Sequence, residues 1–455
     1  MTGVSGAGHR RHTRRVTARE LTPAEAAALL RPVDALGLPL GPGQPPAFLT
    51  ALGERDDWTD LRISGALLTV LTPLFERPGV HYLSGFFGPL ERYLRDAGAG
   101  ISFTAADFRR MGPLMARARP RVLCTAAAPP DADGWCSLSL HAGGTTGELV
   151  RAGRDPDRLL VVEVSEHYPR TRGLGEHGHR VHLDDVDVLV RSDARPFAVP
   201  DQLAGDVERA IAAHAARFVA DGATLQTGIG AVPSAIAAHL ATGPGGSYGV
   251  HTELFTDGLM QLHLAGKVTN DRKGAYDGVS VTTFALGSPE LYAWLHDNPD
   301  VAFLPVGVVN APHVIEQNAL MTTINGALAV DVHGQVVADT ISGAQYSGIG
   351  GAEDFTSGPG YRDDQRALLC LPSTVTVGGE VRSRILPWFE AGTVVTTPRH
   401  QVDVVITEHG AAELEAKTVR QRGEALAAIA APQFRAELLE AADRASHGRS
   451  PLPPA

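Results

Sequence analysis

The sequence carries the same glycine turn twice. Segments 41–46 (GPGQPP) and 228–233 (GIGAVP) share both the spacing of their glycines and the position of their proline. Each follows an apolar stretch and precedes a helical one. Glycine supplies the unusual backbone angles of a tight strand-to-helix turn, and proline pre-sets φ for the first helical turn. The repeat predicts two similarly built open α/β domains packed with a cleft between them, unless it is only a common way to enter a helix.

Length and patterning agree with a chain of this kind. At 455 residues the chain is long enough for two or three domains, each with its own core. Short β-rich runs at 121–126, 159–164 and 186–190 alternate with helical stretches, which is typical of α/β structure.

The domain boundary is predicted from a break in this pattern. Segment 193–200 contains two prolines and no strong periodicity, and an amphipathic helix is predicted after it at 207–220. We therefore predict a mobile tail at 1–15, an N-terminal domain at 16–192 and a C-terminal domain at 193–455.

The composition argues against several classes of function. The chain has 51 acidic and 40 basic residues and a formal charge of -11, so its field repels polyanions and no nucleic-acid partner is expected. There is no apolar run of about 18 residues and no apolar region after the basic N-terminal residues, so we expect neither a membrane span nor a signal peptide. The 3 cysteines lack C-x-x-C spacing, which favours a cytoplasmic protein without structural zinc.

Common catalytic and cofactor motifs do not fit their required contexts. The second glycine turn has Pro233 where a dinucleotide fingerprint needs glycine. Ser247 lies in a G-x-S-x-G motif that leads from a helix into a strand, the reverse of a nucleophile elbow, which argues against a serine hydrolase. His177, His179 and His182 could share a metal, but their flanking glycines and arginines favour a solvated loop.

Two segments contain residues that suit acyl chemistry. Glu253 lies in an apolar, strand-like run, where a carboxylate is costly unless it is paired or used chemically. From the residue alone, both interpretations stay open. Downstream, Gly348, Gly350 and Gly351 occupy three of four consecutive positions, so backbone N–H groups there can approach a ligand closely and form an oxyanion hole.

At these residues the sequence resembles the acetyl-CoA hydrolase/transferase family, the class I CoA-transferases. Each motif is weak alone, but together their order and spacing are specific and span nearly the whole chain. The motifs are PPDADGWCS at 129–137, PRTRG at 169–173, DGATLQTGIGAVP at 221–233, GVHTE at 249–253, INGALAVD at 324–331, GGAEDF at 350–355, SRI at 383–385, and VVTT at 394–397 followed by TEHG at 407–410.

The resemblance implies a fold and a reaction. The implied fold has two similar α/β domains with the active site at their interface. The implied enzyme is an acyl-CoA:carboxylate CoA-transferase that moves CoA between short carboxylic acids, such as acetate, through a glutamyl-CoA thioester. It needs no metal and no permanently bound cofactor, because coenzyme A enters as a substrate. An acyl-CoA hydrolase or a silent CoA-binding protein on the same scaffold are the alternatives.

The resemblance also implies the site residues. Glu253 is the implied nucleophile, Asn325 polarises the substrate carbonyl, Gly350 and Gly351 hold the oxyanion, and Glu408 is a second acidic position. The implied CoA-binding turn consists of Gln226, Gly228, Ile229, Gly230, Ala231 and Val232. A homodimer is the expected assembly, because this is the commonest state of soluble oligomers.

Overall fold

Two large β-sheets divide the chain into an N-terminal and a C-terminal half. The computed structural model describes residues 18–200 and 202–447. The tail predicted at 1–15 lies outside the described residues. The first sheet has 8 strands and the second has 6. This mixed architecture confirms the predicted α/β fold class, while the predicted domain boundaries stay a prediction.

The N-terminal half builds its sheet entirely from parallel strands, in the order β1-β10-β8-β6-β2-β3-β4-β5. The strands and helices of this half are β1 (Arg19–Leu21), α1 (Pro23–Ala27), β2 (Val33–Gly37), α2 (Pro46–Gly53), β3 (Asp60–Gly65), β4 (Val80–Ser84), α3 (Pro89–Asp96), β5 (Ile101–Phe103), α4 (Met111–Ala118), β6 (Val122–Ala127), β7 (Trp135–Ser137), α5 (Thr146–Arg154), β8 (Leu159–Val164), β9 (Arg180–His182) and β10 (Val188–Arg191).

The C-terminal half has a sheet in the order β12-β11-β17-β22-β26-β27, in which only the last pair is antiparallel. The elements of this half are α6 (Asp206–Ala215), β11 (Thr224–Thr227), α7 (Ala231–Thr242), β12 (Gly249–Val250), β13 (Leu254–Phe255), α8 (Asp257–Leu264), β14 (Ser280–Thr282), β15 (Phe284–Ala285), α9 (Pro289–Leu295), β16 (Val301–Phe303), α10 (Val306–Val309), α11 (Pro312–Ile315), β17 (Thr322–Gly326), β18 (Ala329–Asp331), β19 (Val336–Val337), β20 (Thr340–Ile341), β21 (Ala344–Gln345), α12 (Ala352–Ser357), β22 (Arg366–Cys370), β23 (Thr374–Val377), β24 (Glu380–Ser383), β25 (Ile385–Leu386), β26 (Val404–Thr407), β27 (Gly410–Glu413), α13 (Val419–Ala428) and α14 (Arg435–Ser446).

Buried central strands explain why both sheets form. Every residue of β6 is buried, as is every residue of β26. Parallel strands are covered on both faces, so they read as nearly continuous apolar runs rather than alternating ones. The predicted β-rich runs correspond to β6, β8 and β10, and the predicted helix corresponds to α6 followed by a short 3-10 turn at Ala216–Phe218.

Both glycine turns lie at the carboxyl end of a strand and lead into a helix. The first connects β2 to α2, with Pro46 at the first helical position. The second connects β11 to α7, with Gly230 as the residue before the helix. The repeated sequence pattern therefore corresponds to the same local device in each half.

The halves contact each other through segments that follow their sheets. Leu140 and Ala142 from the N-terminal half belong to the main apolar core of the C-terminal half. The amide of Ala142 donates to the carbonyl of Thr283 at 2.6 Å, and the amide of Phe108 donates to that of Gly350 at 2.9 Å. These contacts bring the carboxyl ends of strands from both sheets to one region.

Candidate active site

The carboxyl edge of the second sheet collects most of the predicted site residues. Glu253 follows β12, and Gly228 follows β11. Asn325 lies near the end of β17, and Glu408 follows β26. Because the carboxyl ends of parallel strands meet at one edge, residues far apart in the sequence line up there, and in open α/β sheets this edge is where ligands bind.

Glu253 is held in a network of polar side chains. The Nδ2 group of Asn310 donates to Oε2 of Glu253 at 2.6 Å and to Oδ2 of Asp354 at 3.0 Å. Asp354 also pairs with Arg109 from the N-terminal half. The main-chain amide of Gly351 donates to the Glu253 carboxylate. The nucleophile implied by the sequence is therefore oriented from several sides.

The electrostatics of this network keep Glu253 easy to protonate. Burial raises the pKa of Glu253 to about 8; the hydrogen bond from Asn310 opposes this rise, and the nearby Asp354 charge adds to it. Burial also raises the pKa of Asp354 to about 6, against the hydrogen bond from Asn310 and the charge of Arg109. A carboxylate with a raised pKa is a stronger base and nucleophile once ionised, which suits attack on a carbonyl.

The glycine loop packs directly against this carboxylate. A Cβ atom on Gly351 would overlap both the Glu253 carboxylate and the amide of Asn310, so no larger residue fits there. Gly350 has φ +59, and a Cβ on it would lie 3.7 Å from Oε1 of Glu253. The structure thus brings Glu253, Gly350 and Gly351 together, as an oxyanion hole beside the nucleophile requires.

Gln226 and Asn325 form a pair on neighbouring strands. Nε2 of Gln226 donates to Oδ1 of Asn325 at 3.2 Å, and the amide of Ile324 donates to Oε1 of Gln226 at 3.0 Å. The pair holds the Asn325 side chain at the sheet edge. Gln226, which was predicted to belong to the CoA-binding turn, therefore also positions the side chain of Asn325.

The second glycine turn is open to a ligand. A Cβ on either Gly228 or Gly230 would meet nothing within 4 Å, and Ile229 between them is 47% exposed. Ala231 and Val232 begin α7, and its N-cap residue, Gly230, has no side chain that could cap the first turn. Free amides at a helix start favour anions. A cavity of about 210 Å³ adjoins the turn, and its walls include Ser234, Asp257 and Gly287.

Glu408 is held by a different hydrogen-bond partner from that of Glu253. Its carboxylate accepts hydrogen bonds from the amide of Ser373 at 2.8 Å and from the Ser373 hydroxyl at 2.5 Å. Burial acts to raise the pKa of Glu408, but these hydrogen bonds outweigh it and the pKa is lowered. Glu408 does not share the Glu253 network.

Three residues of the site were missed by sequence reasoning. Asn310, Asp354 and Arg109 contact Glu253 directly or through one another. Asp354 lay within a motif that carried the family resemblance, but no role followed from it. Asn310 sits at the end of the short helix α10, and no local pattern distinguishes it.

Two of the rejected motifs can be placed in the structure. Ser247 lies between α7 and β12, so the predicted helix-to-strand context is confirmed. The solvated histidine loop was wrong in part, because His179 is buried and its ring stacks on Phe303 at 5.0 Å. The glycines near His179 favoured a solvated loop, but the contact with Phe303 of β16 places its ring in the protein interior.

The search for a metal or membrane element is limited to the described residues. Within 18–200 and 202–447, no group of three or more histidine, cysteine, aspartate or glutamate side chains could hold a metal ion. Within the same ranges, no helix combines the length and apolarity needed to cross a membrane.

Comparison with known proteins decides the family. The family model for the acetyl-CoA hydrolase/transferase C-terminal domain matches residues 287–442. A succinyl-CoA:cyclohexane-1-carboxylate CoA transferase from Geobacter metallireducens is 33% identical over 431 residues, which are 93% of this chain and 94% of the relative. The chain belongs to the acetyl-CoA hydrolase/transferase family. Membership confirms the resemblance seen in the sequence and identifies the protein as an enzyme of the CoA-transferase and acyl-CoA hydrolase class.

Other members of the acetyl-CoA hydrolase/transferase family support the same assignment. A 4-hydroxybutyrate coenzyme A transferase from Clostridium kluyveri is 37% identical over 310 residues, covering 68% of this chain and 69% of the relative. The crystal structure of RipA from Yersinia pestis matches with a TM-score of 0.85 at 30% identity, covering 94% of this chain and 97% of RipA. The fold described above is therefore one found in solved structures.

Proposed function

We propose that this enzyme is an acyl-CoA:carboxylate CoA-transferase in which Glu253 is the covalent nucleophile. The observation that carries the proposal is the placement of one carboxylate, with its pKa raised to about 8, against the amide of Gly351 and the side chain of Asn310. Relatives named as CoA transferases support this reaction class. Coenzyme A is a substrate here, and the proposal needs no bound metal or cofactor.

The reaction proceeds through two covalent intermediates. A carboxylate oxygen of Glu253 attacks the thioester carbonyl, the C–S bond breaks, and an acyl-glutamyl anhydride and CoA thiolate result. The thiolate then attacks the glutamyl carbonyl, which releases the first acid as its carboxylate and leaves a glutamyl-CoA thioester. A second carboxylate repeats these steps in reverse. The free energy of the thioester is retained in the anhydride and in the glutamyl thioester, so no ATP is consumed.

The loop and sheet-edge residues have complementary roles in this proposal. Amides of Gly350 and Gly351 stabilise the oxyanions, each contributing about 2.7 to 4 kcal/mol. Asn325 polarises the substrate carbonyl, and the open turn from Gln226 to Val232 binds CoA. Asn310 is added as a positioning residue, because it holds the Glu253 carboxylate in place. Glu408, held by Ser373, is proposed as a second acidic residue of the active site.

Borohydride trapping tests the covalent step. The enzyme is incubated with acetyl-CoA or a panel of acyl-CoAs and quenched with borohydride, which reduces a glutamyl thioester to a primary alcohol. We expect this change only in the Glu253 peptide, and we expect none in Glu253→Gln. Glu290→Gln, which removes an exposed glutamate of α9, is the matched control and should label normally. An unmodified Glu253 with every acyl-CoA tested would overturn the proposal.

The alternative outcome of the same chemistry is hydrolysis, in which water resolves the anhydride or the thioester. It is separated from transfer by measuring CoA release with and without an acceptor acid. A silent CoA-binding protein would bind acyl-CoA tightly without adduct or turnover. We also propose a cytoplasmic homodimer, on the basis of cysteine usage and the commonest oligomeric state.

A further inference from the structure

An apolar cavity lies at the carboxyl edge of the first sheet. It has a volume of about 120 Å³, and its walls include Leu38, Leu83, Met111, Leu114 and Met115. The polar groups among its described lining residues are three hydroxyls and backbone, and none of these residues is charged. For scale, an apolar cavity of about 150 Å³ binds benzene. The cavity therefore suits a hydrocarbon group of about four or five carbons.

This cavity adjoins the nucleophile's glycine loop. Phe108 lines it, and the same residue donates its amide to the carbonyl of Gly350 at 2.9 Å. The Phe108 ring packs edge-on against that of Phe284, with 6.1 Å between the ring centroids. Both rings belong to one apolar cluster with Leu254, the residue after Glu253. Gly85 also lines the cavity, and its carbonyl lies 3.0 Å from where a Cβ of Gly348 would be.

We propose that this cavity binds the hydrocarbon chain of the acid that is transferred, so that the enzyme prefers apolar monocarboxylic acids with about four or five carbons beyond the carboxyl group. The inference rests on the proposed function and names its substrate class. It departs from the expectation of acetate, which would leave the cavity empty. It also predicts that acids with a second polar group are poorer substrates for this enzyme.

A distal charge on the acid would have no partner in the cavity. Burying an unpaired carboxylate is costly, and an unpaired hydroxyl is costly to a lesser degree. Arg109 is the cation that follows the lining residue Phe108, but it is already paired with Asp354 and with Asp107, the latter at 2.6 Å. A succinate-like acid would have to compete for it with two carboxylates.

Matched acids test the chemistry of the cavity. 4-Methylpentanoate and succinate have equal numbers of heavy atoms, as do pentanoate and 4-hydroxybutyrate. With acetyl-CoA as donor, we expect the apolar acid of each pair to have at least a 10-fold higher kcat/KM. Each buried methylene is worth about 4-fold, so pentanoate should also exceed acetate by at least 10-fold, with acetate followed by the exchange of isotope-labelled acetate into acetyl-CoA. A succinate or 4-hydroxybutyrate value equal to that of its apolar match would overturn the inference.

A charge placed in the cavity tests its location. Leu114 lines the cavity and is partly exposed on α4. In Leu114→Arg, the ratio of kcat/KM for 4-methylpentanoate to that for succinate should fall at least 10-fold. Leu439→Arg, at a leucine that is 47% exposed on α14, should leave this ratio unchanged. If Leu114→Arg does not fold, Leu114→Gln should lower the same ratio in the same direction.

The two proposals fail in distinguishable ways. If Glu253 is labelled but the ratio is the same in wild type, Leu114→Arg and Leu114→Gln, the cavity assignment is wrong and the transferase mechanism stands. If no acyl-CoA labels Glu253 and no acid accepts CoA, the proposed function fails, and with it the substrate class.

Discussion

The two glycine turns have the same sequence pattern but opposite surroundings. In the first turn, a Cβ on Gly43 would overlap the ring of the buried His141. The helix that follows is capped by Glu163, whose carboxylate accepts from the amides of Ala47 at 3.1 Å and Phe48 at 2.9 Å. In the second turn, no described atom lies within 4 Å of a Cβ built on either glycine, and the N-cap residue of the helix is Gly230, which has no side chain.

The same glycine pattern can therefore serve packing in one half and leave room for a ligand in the other. The first turn is closed because the protein itself supplies the groups that fill the space and satisfy the helix amides. In the second turn, the space beside both glycines is open among the described residues, and CoA is proposed to occupy it. A glycine motif alone therefore does not identify a binding turn, and the neighbouring side chains from other strands decide it.

Because His141 fills the space beside the first turn, adding a methyl group there should lower the stability of the protein. Gly43→Ala should destabilise the protein by about 3 kcal/mol, because the new methyl group must displace a buried imidazole. The measurement is the midpoint of urea-induced unfolding. Gly307→Ala is the control, since a Cβ there meets nothing within 4 Å on α10, and it should be nearly neutral. A Gly43→Ala midpoint equal to that of the control would show that the first turn is also open.

The buried His141 at the first turn and Glu253 of the C-terminal half should also differ in their response to pH. Burial lowers the pKa of His141 to about 3, so the His141 ring stays neutral across the working range. Glu253 has a pKa raised to about 8, and only its ionised form attacks. The rate of glutamyl thioester formation should rise about 50-fold from pH 6 to pH 8 and level off above that. Single-turnover quenching measures it; a flat profile would contradict the raised pKa.

The pKa shifts of Glu253 and His141 make the stability of the protein depend on pH in opposite directions. The pKa of Glu253 is about 8 in the folded protein and 4.5 as its ordinary value, so the folded state holds this proton more tightly than the unfolded state. The free energy of unfolding therefore decreases as pH rises from 4.5 to 8. His141 binds its proton less tightly when folded, so stability is lost as pH falls below its ordinary value of 6.5. Glu253→Gln should therefore raise the melting temperature at pH 8.5 and lose this advantage near pH 4.5.

A methyl group in the open turn should affect binding rather than folding. Gly228 has ordinary backbone angles and no neighbour within 4 Å of a built Cβ, so Gly228→Ala should change stability by less than about 1 kcal/mol. We expect the KM for acyl-CoA to rise about 10-fold, because the methyl group enters the space proposed for CoA. Steady-state kinetics and urea unfolding of one preparation check both statements. An unchanged KM would place CoA elsewhere.

The cap of the closed turn should make the smallest contribution. Glu163→Gln keeps one acceptor oxygen but turns an amide group toward the helix amides, at a cost of about 1 kcal/mol in stability. Its kcat/KM at a temperature well below melting should stay within about twofold of wild type, because the hydrogen bonds of Glu163 go to Ala47, Phe48 and Ser192 and not to the Glu253 network. A selective loss of acyl-CoA affinity instead would mean that the first turn also binds substrate.

Local sequence patterns anticipated much of the fold but only part of the site. The strands β6, β8 and β10 and the glycine turns follow from apolar runs and from the backbone freedom of glycine. Glu253 stood out because a carboxylate interrupts an apolar run. Asn310 and Arg109 did not, because their importance comes from contacts with residues 57 and 245 positions away, which no short-range period records.

The closed state of the first turn was equally hidden from the sequence. His141 fills it from a segment nearly a hundred residues later, and Glu163 caps α2 from β8, 115 positions from Phe48. Both are polar residues in apolar surroundings, and the sequence gives no indication of which partner each will meet. The same limit applies to His179, whose burial depends on Phe303.

The Arg109–Asp354 pair joins residues 245 positions apart, so its formation should mark a late step in the refolding of the enzyme. Contacts of such long separation form late when a chain refolds, after the strands of each half have paired. Competence for covalent labelling at Glu253 should therefore lag behind the return of helical and strand circular dichroism after dilution from urea. The interval between the two would time the docking of the halves, and the substrate itself would serve as the probe.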